Sequence, residues 1–168
     1  MVPEVLRKME KKHDIVVDDV ANGVPWFSPF FTKKPVIGQV HHVHQEVAKI
    51  ELPWFSKWGV IFSERAVKNL YDTVVAVSES TKQNLIEEIG VSRKKVNVIL
   101  NGLNHAAYFP SNKSLDPSIL YVGRIKRYKR VEHVILAFRE VIKSLPDARL
   151  IIVGNGDRLE YLKKFATK

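Results

Sequence analysis

Apolar residues recur along this chain at two periods, and short runs of one kind alternate with longer stretches of the other. The spacing in VPEVLRKMEKK (residues 2–12) predicts a helix, and DIVVDD (14–19) predicts a strand. ANGVPWFSPFFTKK (21–34) holds too many turn formers for a regular element and reads as a loop. PVIGQV (35–40) is a second short strand, and it runs into HHVHQE, so histidines gather at its C-terminal end. From Phe55 to Tyr71, the positions of Trp58, Ile61, Phe62, Ala66 and Leu70 predict a helix. TVVAVS (73–78) is a strand. Ser80 and Gln83 form a capping box for the helix TKQNLIEEI (81–89), which Gly90 stops, and KVNVIL (95–100) is the next strand.

Asn101-Gly102 would ordinarily announce a hairpin, but no alternating apolar run follows to pair back. The interval 104–117 therefore reads as a linker between two domains, 1–103 and 118–168. The second begins with the strand SILYV (118–122), a basic loop and the helix VEHVILAFREVIKSL (131–145). The turn Pro146-Asp147, the strand ARLIIV (148–153) and the helix DRLEYLKKFA (157–166) complete one βαβ unit, which predicts parallel strands covered by helices. The fold class is α/β, with two incomplete Rossmann-like parallel-sheet lobes.

Composition narrows the field. With 168 residues, 45% hydrophobic and 27% charged, the chain can bury a core. No apolar run approaches the ~18 residues that would span a bilayer. The absence of cysteine excludes disulfides, thiolate metal sites and a cysteine nucleophile. Together with an N-terminus lacking an apolar signal core, it sets a cytoplasmic expectation. The net charge of +9 favours a polyanionic partner: a phosphorylated ligand, nucleic acid or an acidic membrane face.

The charge is densest in GRIKRYKR (123–130), between a strand and a helix, where ligands of open parallel sheets bind. Gly123 allows a tight turn, and Arg124 and Lys129 can present cations to a phosphate near the helix N-terminus. Cations there oppose the helix dipole, which argues for an anion as their partner; the competing reading is a solvated basic loop. There is no G-x-x-x-x-G-K-[ST] loop, and Gly154 and Gly156 lack the third glycine of a dinucleotide fingerprint, Leu159 standing in its place. Those two glycines read either as a turn near a ligand or as a plain strand-to-helix turn. His41, His42 and His44 have no carboxylate frame, so no metal site is expected. They serve as polar contacts, acid–base groups or turn histidines. No nucleophile elbow is present. Trp54, Phe55, Trp58, Ile61 and Phe62 beside Lys57 and Arg65 fit either a peripheral membrane contact or, as the favoured expectation, core packing. They do not interleave with basic residues as nucleic-acid stacking platforms do, and no nucleic-acid motif occurs.

YVGRIKRYKRVEHVILAFREVIKSLPDARLIIVGNGD resembles the start of the C-terminal domain of retaining GT-B glycosyltransferases of family four. VVAVSESTKQNLIEEIGVSRKKVNVILNGLNHAAYFP and KKPVIGQVHH are similar to that family's N-terminal domain and interdomain junction. The resemblance implies transfer of a sugar from a UDP- or GDP-linked donor to a carbohydrate or glycolipid hydroxyl with retention. Neither metal nor another cofactor is implied. It casts Gly123, Arg124 and Lys129 as the donor-diphosphate site, Gly154 and Gly156 as a nucleotide-proximal loop, and His41, with His42 as the alternative, as the histidine that approaches the donor sugar. Arg130 departs from the pattern, since the family usually has glycine there. The family's paired glutamates and its N-terminal glycine-rich loop have no counterpart in this sequence. An internal fragment, inactive alone, is therefore expected, associating with itself or with a second chain that supplies the rest. The alternative function is a non-catalytic nucleotide-binding or partner-binding module.

Overall fold

The β-branched runs pair into two separate parallel sheets in a computed structural model that describes residues 2–9, 11–20 and 24–167. Glu10, at the end of the first expected helix, and residues 21–23 of the first loop lie outside the described residues. The chain divides into two compact units, residues 1–103 and 104–168.

In the first unit, α1 (Val2–Met9) precedes β1 (Val16–Val20). A 3-10 turn at Ser28–Phe30 leads to β2 (Val36–Val40), α2 (Gln45–Glu51) and α3 (Trp54–Leu70). β3 (Thr73–Ala76), α4 (Glu79–Asn84) and β4 (Val96–Val98) follow. The strands lie in the order β1-β2-β3-β4, all parallel, in registers that pair Val16 with Val36, Ile37 with Thr73 and Val74 with Val96. Valine suits this placement because its branched side chain packs well on a pleated surface covered by helices. Val74 and Ala76 of β3 are fully buried, and Val20, Val40, Val67, Leu85, Ile89 and Val96 pack around them.

A polar cluster sits inside this unit. Asp18 on β1 is buried and accepts hydrogen bonds from the Ser28 amide (3.1 Å), the Ser28 hydroxyl and the Tyr71 hydroxyl (2.8 Å). The Tyr71 ring in turn lies flat against β2. A Cβ on Gly38 would come within 2.5 Å of it, so only glycine allows that approach. Burial, reinforced by the bond to Asp18, pushes the Tyr71 hydroxyl far above the usual phenol range.

Three expectations need correction. The helix after β3 is capped by Ser78, whose hydroxyl accepts from the Thr81 amide at 3.1 Å, and not by Ser80 with Gln83. Ser80 instead contacts the Ser78 hydroxyl at 2.9 Å, and Gln83 donates to Glu87. The helix then widens into a π turn (Leu85–Ile89) ended by Gly90 at φ 82°. Second, α2 occupies a stretch where no helix was expected. Third, Trp54, Phe55, Trp58 and Phe62 do not pack in the core; all four are exposed. The cause is the face they occupy: Ile61, Glu64 and Val67 turn another face of α3 inward. The His44 amide donates to Glu64 Oε1 (2.6 Å), pinning the middle of α3 beside the chain that leaves β2.

The second unit holds β5 (Ser118–Val122), α5 (Val131–Ser144), β6 (Arg149–Val153) and α6 (Leu159–Ala166). β5 and β6 are parallel, with Leu120 opposite Ile151 and Val122 opposite Val153. One face packs Tyr121, Leu150 and Ile152 against Val131, Ile135 and Leu162 of the helices. The other face, Leu120, Val122, Ile151 and Val153, is exposed, so helices cover this sheet on one side only.

Candidate functional site

The sequence-derived site residues fall into two groups, one in each unit. In the second unit, β5 delivers the chain into the loop at Gly123, and β6 delivers it into the loop at Gly154. The two loops are stitched together by backbone bonds, Gly123 N to Val153 O (3.0 Å) and Ile125 N to Asn155 O (2.9 Å). Ile125 is buried beneath them. A Cβ on Gly154 would lie 1.9 Å from the Gly123 carbonyl oxygen, and one on Gly156 would lie 2.1 Å from that of Ile125. Both glycines are therefore required by the close approach of the two loops, a structural cause that neither reading of the G-x-G motif had separated from a ligand role.

The basic loop is ordered by an aromatic ring. Arg124 Nη2 donates to the Tyr128 hydroxyl at 2.6 Å, and its guanidinium carbon lies 5.8 Å from the ring centre. Lys129 Nζ lies 5.2 Å from the same ring. Tyr128 thus brings the two predicted diphosphate contacts to one place, and the aromatic between basic residues was the available signal for it. Both cations remain exposed. Lys126 has a different role, bonding Asp157 Oδ2 at 2.8 Å across the two loops. That bond holds the Asp157 carboxyl below the usual carboxylate range. Of five cations in eight residues, one is neutralised by a carboxylate while Arg124 and Lys129 share a neutral ring, leaving a local excess of positive charge at the C-terminal end of β5. Arg130, which caps α5, adopts the left-handed conformation (φ 50°, ψ 42°). A glycine would adopt it without steric cost, which gives the departure at this position its physical meaning.

In the first unit, His41 follows β2 directly. Its Nε2 lies 3.2 Å from Asp19 Oδ1, at the end of the neighbouring strand. A carboxylate only accepts, so this contact requires a proton on Nε2 and leaves Nδ1 as the acceptor of a neutral ring. Gln39 Nε2, also 3.2 Å from His41 Nε2, competes for the same atom. The backbone here is held by the Thr81 hydroxyl, which donates to the His41 carbonyl at 3.4 Å. His42 instead packs edge-to-face on His44 with ring centres 5.1 Å apart. His44 sits 3.4 Å from the buried Glu64 carboxylate. The three histidines therefore have three different settings. Among the described residues, no group of three or more histidine, cysteine, aspartate or glutamate side chains is placed to hold a metal ion. Asp19 was missed at the level of sequence, where it read only as the polar end of a strand.

With the geometry in hand, comparison with known proteins is specific. The chain is 38% identical over 101 residues to the O-antigen biosynthesis glycosyltransferase WbnH of Escherichia coli, covering 60% of this chain and 28% of that one. It is 29% identical over 148 residues to the uncharacterized glycosyltransferase MJ1069 of Methanocaldococcus jannaschii, covering 81% and 37%. It therefore spans well under half the length of these relatives. Among solved structures, a mutant of S. aureus TarM in complex with Fondaparinux, alpha-GlcNAc-glycerol and UDP superposes with a TM-score of 0.68 at 16% identity, over 99% of this chain and 33% of that one. Sucrose-phosphate synthase from Thermosynechococcus elongatus superposes with a TM-score of 0.67 at 18% identity, over 97% and 46%. These likenesses establish the GT-B type of fold. Residues 2–107 match Glycosyltransferase Family 4 and residues 108–168 match Glycosyl transferases group 1, and the chain belongs to this glycosyltransferase family.

Proposed function

We propose that this chain carries the donor-diphosphate site, and a histidine contact to the donor sugar, of a group 1 glycosyltransferase. The donor is a UDP- or GDP-linked sugar and the acceptor a hydroxyl of a carbohydrate or glycolipid. In the reaction the bond between the anomeric carbon and the diphosphate oxygen breaks, and a bond forms from that carbon to the acceptor oxygen with retention of configuration. The nucleoside diphosphate leaves with the bonding electron pair, and the acceptor's proton passes to it.

One observation carries this reading: Arg124 and Lys129 converge on Tyr128 at the C-terminal end of β5. Two cations held on one neutral ring suit a dianionic diphosphate, and they oppose the charge that grows on the leaving group, without metal. Gly123 keeps the backbone of this turn close to β6, and Gly154 and Gly156 hold the second loop beneath it. His41 keeps Nδ1 available as an acceptor for a sugar hydroxyl, with Asp19 fixing the ring. His42, packed edge-to-face on His44, is the alternative contact.

Calorimetry with UDP and with GDP tests the proposal on the chain itself. Binding of at least one is expected, weakened by ~1.5 to 3 kcal/mol in Arg124→Ala or Lys129→Ala, as for charge-assisted hydrogen bonds. Unchanged affinity in both variants would overturn the assignment. The alternative is a nucleotide-binding or partner-binding module without catalysis. It shares the binding result and parts from the first reading when donor hydrolysis and transfer are assayed.

A further inference from the structure

From the loop that follows β1 we infer that Trp26 is the platform on which a pyranose ring of the acceptor stacks; the inference rests on the glycosyltransferase reading above. Trp26 is 50% exposed. Its indole Nε1 donates to the Asp19 carbonyl at 2.9 Å, and the carboxylate of that same residue lies 3.2 Å from His41 Nε2. One residue therefore holds the tryptophan by its backbone and the histidine by its side chain. Val16 N donates to Pro35 O, so the even-numbered residues of β1 turn their backbone groups toward β2. The Asp19 carbonyl then faces the free edge, β1 being the outermost strand of the sheet. Trp26 is anchored at that edge, one strand removed from the one that carries His41.

The way Trp26 is held separates a binding surface from chance exposure. Pro25 before it is buried and has a fixed φ. The Trp26 backbone is hydrogen-bonded to the Tyr71 hydroxyl, which donates to Asp18 at 2.8 Å. Two residues on, Ser28 is buried and gives both its amide and its hydroxyl to the Asp18 carboxylate. Between these anchors Phe27 takes the left-handed conformation (φ 59°, ψ 26°), which a residue with a Cβ keeps only when its surroundings impose it. Buried polar bonds and backbone strain are thus both committed to keeping one half-exposed ring in one orientation. Such preorganisation lowers the ordering cost for a ligand that lies on the ring. Chemistry and position together name that ligand. An indole face is electron-rich, and the C–H groups on the apolar face of a pyranose, polarised by the ring's oxygens, meet it favourably. Transfer needs an acceptor hydroxyl beside the donor sugar, which His41 addresses in the proposed reaction. A second sugar held on Trp26 is brought next to that histidine through Asp19.

Trp54→Phe with Trp58→Phe leaves Trp26 as the only tryptophan, and so as a local reporter. The probes are the methyl α- and β-glycosides of glucose, galactose, mannose and N-acetylglucosamine, with sorbitol at equal concentration as the open-chain control. At least one glycoside should change Trp26 emission saturably, and saturation-transfer NMR should place the C–H protons of one of its faces against the protein. In the parent chain that saturation transfer should be lost in Trp26→Gln, which removes the ring but keeps an N–H donor for the Asp19 carbonyl. Trp26→Phe keeps an aromatic face without the donor, and should retain binding weakened by roughly threefold to tenfold. A tryptophan that serves only the fold would be replaced in the opposite order, better by glutamine. Glycoside binding that survives Trp26→Gln would overturn the inference, and so would emission that no glycoside changes more than sorbitol does. Emission changed by UDP or a UDP-linked sugar, and by no glycoside, would assign the ring to the donor and overturn it equally. Calorimetry with UDP and GDP is read separately. Its failure with glycoside binding intact falls on the reading of Arg124 and Lys129, whereas nucleotide binding without any glycoside binding falls on Trp26 alone.

Discussion

Arg130 sits in a conformation that costs a residue with a Cβ about 1 to 2 kcal/mol, and glycine is spared that cost at the expense of some chain entropy. Arg130→Gly should therefore stabilise the second unit by about 1 kcal/mol, whereas Arg130→Ala, which removes the charge but keeps the left-handed strain, should not. Denaturant midpoints of the two variants against the parent decide this; equal midpoints would show that the strain is relieved elsewhere. Tyr71 makes a pH prediction. Its hydroxyl keeps its proton in the folded state well above the ~10 at which an unfolded tyrosine loses it. Unfolding above that pH releases a proton, so stability falls as pH rises past about 10 and is insensitive to this group below it. Tyr71→Phe should abolish the alkaline slope, measured by urea unfolding at a series of pH values. At neutral pH it should cost ~1.5 to 3 kcal/mol for the lost bond to the Asp18 carboxylate. Arg124 and Lys129 were legible in the sequence because cations between a strand and a helix are a local pattern. Tyr71, Asp18 and Ser28 were not, since the residues lie up to 53 positions apart and only the fold unites them.

At the scale of elements, every strand but the bounds of a few was visible as an apolar run, because valine and isoleucine at these densities leave little choice. What periodicity could not supply was which face of α3 turns inward. A stripe of Trp58, Phe62 and Ala66 looks the same whether it faces a core or water, and here the buried face is that of Ile61, Glu64 and Val67. Caps failed for a related reason: Ser78, Ser80 and Thr81 are all plausible by type, and the backbone at Ser78 (φ −158°, ψ 161°) selects the residue that is still extended. The two loops at the strand ends yield a prediction about function. Gly154→Ala or Gly156→Ala places a methyl group against a backbone oxygen, which no side-chain rotation relieves. Each should destabilise the second unit by roughly 1 to 3 kcal/mol and, by pushing the Gly123 loop away from β6, weaken nucleoside diphosphate binding without touching a cation. Wild-type affinity in a folded Gly154→Ala variant would separate the loop contact from the binding site.

For the molecule as a whole, the two units differ in how well they are buried. In the first, β3 is flanked by β2 and β4, and Val74 and Ala76 have no exposed surface. In the second, both strands are edges of a two-stranded sheet, and the face formed by Leu120, Val122, Ile151 and Val153 is open to water. Its buried cluster consists of Ile125, Val131, Ile135 and Leu162, against eleven residues in the core cluster of the first unit among the described residues. A domain of about 65 residues with a small core and few paired strands is marginal, because hydrophobic burial barely offsets the entropy of ordering its chain. Local opening should therefore be easier in the second unit than in the first. Amide hydrogen exchange read by peptide mass spectrometry at neutral pH makes the comparison directly, since peptides spanning β2 and β3 report on one unit and those spanning β5 and β6 on the other. Exchange through β5 and β6 should be faster by roughly tenfold or more, corresponding to at least ~1.4 kcal/mol less protection. A saturating nucleoside diphosphate should slow exchange in the second unit, because the ligand binds its folded form and shifts the opening equilibrium by mass action. Equal protection of both sheets without ligand would show that the open face and edges are covered in solution, and the exchange rate of the Leu120 and Val122 peptides across a protein dilution series would identify self-association as the cover.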